Sequence, residues 1–171
     1  MERLISSLYT WDSVHTEHLI NIYDTNVSGE PFFDDLISIT NTHQDLQIAT
    51  TWLIKHHYDQ KQKLSEQQGN LLLGTILNFK AWEAKLHVLQ ILPFLSIPES
   101  HFILVEDFVR ACLNDDVKFV RAWAYQGFYE LTKYQPSYIP ELKLLCDKAL
   151  LTESASIKSR VKKVVKQLEK R

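Results

Sequence analysis

Apolar side chains recur three and four residues apart along nearly the whole chain, which is the pattern of amphipathic helices. Residues 2–27 predict two short helices with a break near Thr10–Ser13, where Asp12 or Ser13 can cap the second helix. The next loop signal is the segment Ser28-Gly29-Glu30-Pro31, and Pro31 suits the first position of the helix that follows. With only 4 Gly and 5 Pro, the chain has too few turn residues for a β-sandwich or barrel.

From residue 31 onward the predicted helices come in pairs. The pairs are 31–41 with 45–60, 64–78 with 80–95, 99–113 with 117–134, and 137–150 with 155–170. The turn inside the first three pairs carries Asn or Asp, which suits helix ends and caps. Pro93 falls near the end of a helix and should kink or stop it.

The second helices of these pairs are related by a fixed spacing. Four short blocks align at intervals of 35 to 37 residues: Asp45-Leu46-Gln47-Ile48-Ala49, Lys80-Ala81-Trp82-Glu83-Ala84, Asp116-Val117-Lys118-Phe119-Val120 and Glu153-Ser154-Ala155-Ser156-Ile157. A period of this length is typical of stacked helical repeats, which bury their core between neighbouring units. The prediction is one all-α domain over 1–171, with N-terminal helices in 1–30 and repeat units at 31–60, 64–95, 99–134 and 137–171.

The third unit carries the clearest family resemblance. Asp116, Val120-Arg121 and Ala124 resemble the second-helix signature of HEAT repeats, the armadillo-like α-solenoids. That resemblance implies a right-handed α-α superhelix, a polar ladder between units, and second helices that line a concave surface. Lys80 and Thr50 depart from the pattern, so the ladder should be incomplete in units one and two. The period is also shorter than the ~40–47 residues usual for these repeats.

A tetratricopeptide pattern fits less well. Trp123, Gly127 and the period agree loosely with it, but Glu130 stands where a tyrosine is expected. Ile139 and Lys143 take the alanine and phenylalanine positions of the following helix. The HEAT-like interpretation is therefore preferred.

Composition agrees with a packed, water-soluble helical domain. The chain is 45% hydrophobic and 11% aromatic, enough for a core and wrong for disorder. No apolar run reaches the roughly 18 residues of a membrane span, and the first residues do not resemble a signal peptide. Cys112 and Cys146 lie in apolar helical segments and are expected to be buried, reduced thiols, which favours a cytoplasmic location.

The net charge of -2 conceals an asymmetry along the chain. Residues 155–171 hold seven basic side chains and one acid, giving +6, so the remainder of the chain carries -8. A polar last helix is what a solenoid needs to cover its end. The same helix could also bind anions, and the sequence leaves both interpretations open.

The sequence offers little catalytic or metal-binding chemistry. His15 and His18 have helical ligand spacing and His56 adjoins His57, but there is no His-Glu pair of the kind that HEAT-like di-iron hydroxylases repeat, and no Cys-x-x-Cys. A nucleophile elbow and a phosphate-binding glycine loop are also absent from the sequence. We therefore predict no catalytic residue, cofactor or metal, while an enzyme whose site forms only in three dimensions stays open.

Aromatic and basic residues in the second helices form the best candidate for a binding surface. Trp52 and Trp123 occupy the same repeat position in units one and three, and His87 and Arg160 occupy it in units two and four. This position is either half-buried at a unit interface or part of a recognition stripe, where such side chains often dominate binding energy. The predicted partner-binding residues are Trp52, Lys55, Tyr58, His87, Gln90, Arg121, Trp123, Tyr125, Gln126, Tyr129, Arg160 and Lys163.

These features favour a non-enzymatic binding module, most simply a protein–protein adaptor that uses its second helices. The alternative is a nucleic-acid-binding protein related in fold to the alkylpurine DNA glycosylases, which use tryptophans and an aspartate on a concave face. It would act through the basic last helix, at Lys158, Arg160 and Lys163, although a pI near 6.4 is low for such a protein. No membrane contact is predicted, and the oligomeric state is left open.

Overall fold

The computed structural model describes residues 1–29 and 31–170, and within these ranges the chain is helical with no strand. Glu30, in the predicted loop, lies outside the described residues. The α-helices are α1 Glu2–Tyr9, α2 Thr16–Asn26, α3 Phe32–Thr42, α4 Gln47–Asp59, α5 Glu66–Leu73, α6 Trp82–Ile91, α7 Glu99–Leu113, α8 Lys118–Tyr134, α9 Ile139–Thr152 and α10 Ala155–Glu169. Short 3-10 turns occur at Gln44–Leu46, Ile76–Asn78, Leu92–Phe94 and Pro136–Tyr138. The predicted all-α class is confirmed.

The predicted break in the N-terminal stretch is present between α1 and α2. The carboxylate of Asp12 accepts hydrogen bonds from the backbone N–H groups of Val14 and His15, both at 2.9 Å. Ser13 adopts a left-handed conformation with φ of 65°. Asp12 thus closes a turn just before α2, whose N-cap is His15 rather than Asp12 or Ser13.

Two helix boundaries differ from the sequence prediction for local reasons. The predicted helix 64–78 is shorter, because Ser65 caps α5: its hydroxyl accepts from the Gln68 N–H at 3.2 Å, and the Gln68 side chain accepts from the Ser65 N–H at 3.1 Å. After Gly74 the chain continues as a 3-10 turn instead of an α-helix. Pro93 ends α6 as expected, since α6 stops at Ile91 and gives way to a 3-10 turn.

The chain divides into two compact units, Met1–Val88 and Leu89–Arg171, with the division inside α6. In the first unit α1 packs on α2, α2 on α4, and α3 on both α4 and α5. Its core contains the fully buried side chains of Leu36, Leu53 and Ile54. Buried polar groups are satisfied locally, for example the Thr40 hydroxyl, which donates to the Thr50 hydroxyl at 2.7 Å.

The second unit is organised around α8. This helix packs against α7, α9 and α10 and against two 3-10 turns, so residues on most of its circumference are buried. Phe128 is the largest side chain fully enclosed there. Cys112 and Cys146 are both buried, as the sequence predicts. Burial raises the pKa of the Cys146 thiol to about 11.

Among the described residues, no helix has both the length and the apolar character that crossing a bilayer requires.

Candidate functional site

The first unit places Trp52, Lys55 and Tyr58 on α4, each half-buried. Trp52 stacks on His56 one turn later, with ring centroids 4.9 Å apart and planes 9° from parallel. Lys55 pairs with Asp59 at 2.5 Å, so its charge is partly neutralised along the helix. These side chains of α4 therefore present a surface that is more aromatic than cationic.

His87 is half-buried on α6, and its Nδ1 lies 3.0 Å from the Thr51 hydroxyl of α4. Burial, and secondarily the nearby charge of Lys55, lower the pKa of His87 to about 4. The imidazole is consequently neutral at pH 7. In the repeat alignment this position is Arg160 in the fourth predicted repeat, whereas in the second predicted repeat it holds the uncharged ring of His87.

A Tyr–His cluster that the sequence did not reveal lies beside these α4 side chains. The Tyr23 hydroxyl of α2 is 2.7 Å from Nδ1 of His57 on α4, and burial lowers the pKa of His57. Tyr23 also meets His56 edge to face at 4.9 Å. Together with Asp24 and Gln60 these residues line an open depression of about 750 Å³. The Tyr23–His57 contact joins residues 34 positions apart, so no local sequence motif predicts it.

The second unit brings two predicted residues into direct contact. The Arg160 guanidinium of α10 lies over the indole of Trp123 on α8, 3.6 Å from the ring centroid. Both side chains are half-buried, and burial lowers the pKa of Arg160. Lys163, one turn further along α10, is exposed. Tyr129 of α8 is half-buried, with the Lys133 ammonium 5.5 Å from its ring centroid.

Arg121 has a structural position between α8 and α9. Its guanidinium donates to the Glu153 carboxylate at 3.3 and 3.4 Å and to the backbone carbonyls of Asp115 and Asp116 at 2.8 and 3.0 Å. Glu153 is the acid at the start of the fourth repeat block. Arg121 therefore links the start of α8 to the turn between α9 and α10, through Glu153 and not through the Asp116 side chain.

Tyr125 and Gln126 lie in the interior, with 7% and 5% of their surface exposed. Gln126 donates to the buried Glu130 at 2.9 Å and to Gln167 of α10 at 3.0 Å. Gln90 is half-buried, and its Oε1 atom has no hydrogen-bond partner among the described residues. Little of Tyr125 or Gln126 is available to a partner, whereas Trp123, Tyr129, Arg160 and Lys163 are half-buried or exposed and can contact one.

Phe119 is an exposed aromatic residue that the sequence prediction omitted. It lies one turn before Trp123 on α8, is 48% exposed, and has the Lys118 ammonium 5.3 Å from its ring centroid. Residues four apart on a helix share a face, so this spacing was the available signal. We call Phe119, Trp123 and Arg160 the aromatic stripe; Tyr129, six residues after Trp123, lies on a different side of α8.

Within 1–29 and 31–170, no group of three or more His, Cys, Asp or Glu side chains is arranged to hold a metal ion. His15 is instead paired with Asp12 at 2.5 Å, and His18 is within 3.1 Å of the Thr10 hydroxyl. Comparison with known proteins gave no matching family model, no matching curated protein and no matching solved structure.

Proposed function

We propose that this chain is a non-enzymatic, HEAT-like helical-repeat module that binds another protein through the aromatic stripe of its second helices. A right-handed α-solenoid of four helix pairs behind an N-terminal pair is the architecture that goes with this proposal. The observation that carries the binding role is the Arg160–Trp123 contact at 3.6 Å, which joins the same repeat position of successive second helices on a half-exposed surface.

Contacts separated by about one repeat period support the architectural part in the first unit. Gln47 at the start of α4 donates to the Asn78 carbonyl and accepts from the Lys80 N–H, 31 and 33 residues away. Asn78 also donates to the Asn41 side chain, 37 residues away. Each of these bonds joins one predicted helix pair to the next, as stacking of repeats requires.

The second unit has contacts of the same kind. Arg110 of α7 binds both oxygens of Glu141 on α9, at 2.6 and 3.1 Å, 31 residues along the chain. Tyr138 donates to Glu106 at 3.0 Å across 32 residues. These ionic and hydrogen bonds join the first helices of the third and fourth predicted repeats. Arg121 joins the second helix of the third predicted repeat to Glu153 at the start of the fourth repeat block.

The composition of the aromatic stripe supports protein recognition. Tryptophan and arginine supply large contact areas at little conformational cost and are enriched among the residues that dominate interface energies. Arg160 is held in place by Trp123, so its guanidinium is ordered before a partner arrives. Such preorganisation reduces the entropy lost on binding.

The test is quantitative capture of partners by the tagged chain from nuclease-treated extract of the cells that produce it. Trp123→Ala removes the ring and the support for Arg160, and we expect the specific partner to fall about tenfold, as for loss of an interface anchor. Leu144→Ala is the matched control, because Leu144 is an exposed apolar residue of α9 in the same unit but outside the stripe. Circular dichroism of both variants is the check that they remain folded.

Equal capture by Trp123→Ala and Leu144→Ala would refute the role of the stripe. Partners that are captured from untreated extract but not from nuclease-treated extract would instead indicate a nucleic-acid-binding function.

A further inference from the structure

The outward side of α10 presents a row of lysines that the proposed stripe does not use. Lys162, Lys163 and Lys166 are all exposed, and with Ala155, Lys158 and Ser159 they line a shallow groove of about 410 Å³. We call Lys162, Lys163 and Lys166 the lysine face. The opposite side of the helix is the core side, where Ile157, Val161 and Val164 are fully buried.

Within 1–29 and 31–170, the lysine face has no ion-pair partner: none of its three ammonium groups pairs with a carboxylate. Lys158 differs, since it donates to the Leu151 carbonyl in the last turn of α9 at 3.2 Å and so helps to fix the α9–α10 turn. The lysine face itself contributes no such contact.

The charge arrangement is unfavourable for the isolated helix. Lys158, Lys162 and Lys166 follow one another at intervals of four residues, and like charges at this spacing destabilise a helix. The neighbouring α9 covers its exposed surface with a mixture of Glu141, Lys143, Asp147 and Lys148. An exposed helix face in this unit therefore does not need a single sign of charge, which favours a partner for the lysines of α10.

We propose that the lysine face binds an acidic segment of the protein partner, an inference that rests on the proposed protein-binding function. Ala155 and Ser159, one turn apart, give the groove a low floor, while lysine stems form its walls. Carboxylates on a segment lying in this groove meet two or three ammonium groups at once. Lys162 and Lys166 are about 6 Å apart along the axis, a spacing that successive turns of an acidic helix reproduce.

Other anionic partners fit this face less well. Residues 155–171 contain no aromatic side chain on which a nucleic-acid base could stack. A membrane surface would require large exposed apolar side chains beside the lysines, but Ile157, Val161 and Val164 of α10 are buried in the core. Charge complementarity with an acidic protein segment remains.

The test measures fluorescence anisotropy of a labelled, glutamate-rich helical peptide with the full chain, at about 50 and about 150 mM salt. K162E/K166E should weaken binding about tenfold or more, because two attractive contacts become repulsive. K143E/K148E is the matched control: it makes the same change of net charge on exposed lysines of α9 and should change affinity less than about twofold. A 20-base-pair DNA duplex and vesicles containing phosphatidylserine are the competing probes.

In the peptide assay, three results would overturn the inference: equal loss in both double variants, tighter binding of the duplex or the vesicles than of the peptide, or no peptide binding at the lower salt. Trp123→Ala separates this inference from the proposed function, since it should leave peptide binding unchanged. If Trp123→Ala loses the cellular partner while K162E/K166E retains it, the stripe stands and the lysine face fails. The reverse outcome rejects the stripe and keeps the lysine face.

Discussion

Gln47 is a buried side chain on which the junction between two helix pairs depends. It is fully enclosed, its amide donates to the Asn78 carbonyl at 3.1 Å, and its carbonyl accepts from the Lys80 N–H at 2.9 Å. A third, longer bond of 3.3 Å reaches the Thr40 carbonyl. The side chain therefore satisfies backbone groups that precede α6.

Gln47→Leu keeps the approximate volume and removes all of these bonds. The Asn78 carbonyl and the Lys80 N–H are then left partly buried without partners, and each such group costs about 1–3 kcal/mol. Because both sites are only partly buried, we take about 1 kcal/mol for each and a smaller amount for the long bond. The expected loss in the free energy of unfolding is about 2–3 kcal/mol.

Urea denaturation followed by circular dichroism measures this loss, and hydrogen exchange of peptides covering 44–60 assigns it to the first unit. Gln44→Leu is the matched control, since Gln44 is exposed in the turn just before α4 and should change stability by less than about 0.5 kcal/mol. If Gln47→Leu proves as mild as Gln44→Leu, the side chain does not hold the junction and the reasoning is wrong.

Two further predictions concern titratable groups. The folded-state pKa of His87 is about 4, so the unfolded chain takes up its proton first as the pH falls. Stability should decline between about pH 6.5 and 4, by at most about 3 kcal/mol, and His87→Gln should flatten that part of the curve in urea titrations at several pH values. A curve identical in both proteins would contradict this. Cys112 and Cys146 are buried, and the Cys146 pKa is about 11, so a thiol reagent at pH 8 should label neither in the native protein and both in denaturant. Rapid native labelling would show that the core opens.

The sequence was sufficient to predict the all-α class and most of the helices. The apolar spacing predicted the helical segments, and the turn residues and Pro93 predicted most of the breaks, while the grouping of the helices into repeat units stays a prediction. The boundary at α5 was missed, although Ser65 and Gln68 have the spacing of a capping box, because the apolar pattern continues through that region.

The surface was harder to predict because exposure depends on which neighbours enclose a helix. Tyr125 and Gln126 have counterparts on other second helices, but α8 is enclosed by α7, α9 and α10, so the same repeat positions lie in the interior. The Tyr23–His57 contact joins separate helices and has no local signature. The Arg160–Trp123 contact was partly foreseen, since the repeat alignment gave these two residues the same position in successive units.

The central placement of α8 has a consequence for how this protein can change over generations. Because α8 packs against α7, α9 and α10, most substitutions in α8 affect several packing interfaces at once. The outer side of α10 faces solvent and takes part in none of them. Single substitutions can therefore change the charged residues of α10 one at a time, while few substitutions in α8 are tolerated. New binding preferences can arise in this way on an unchanged scaffold.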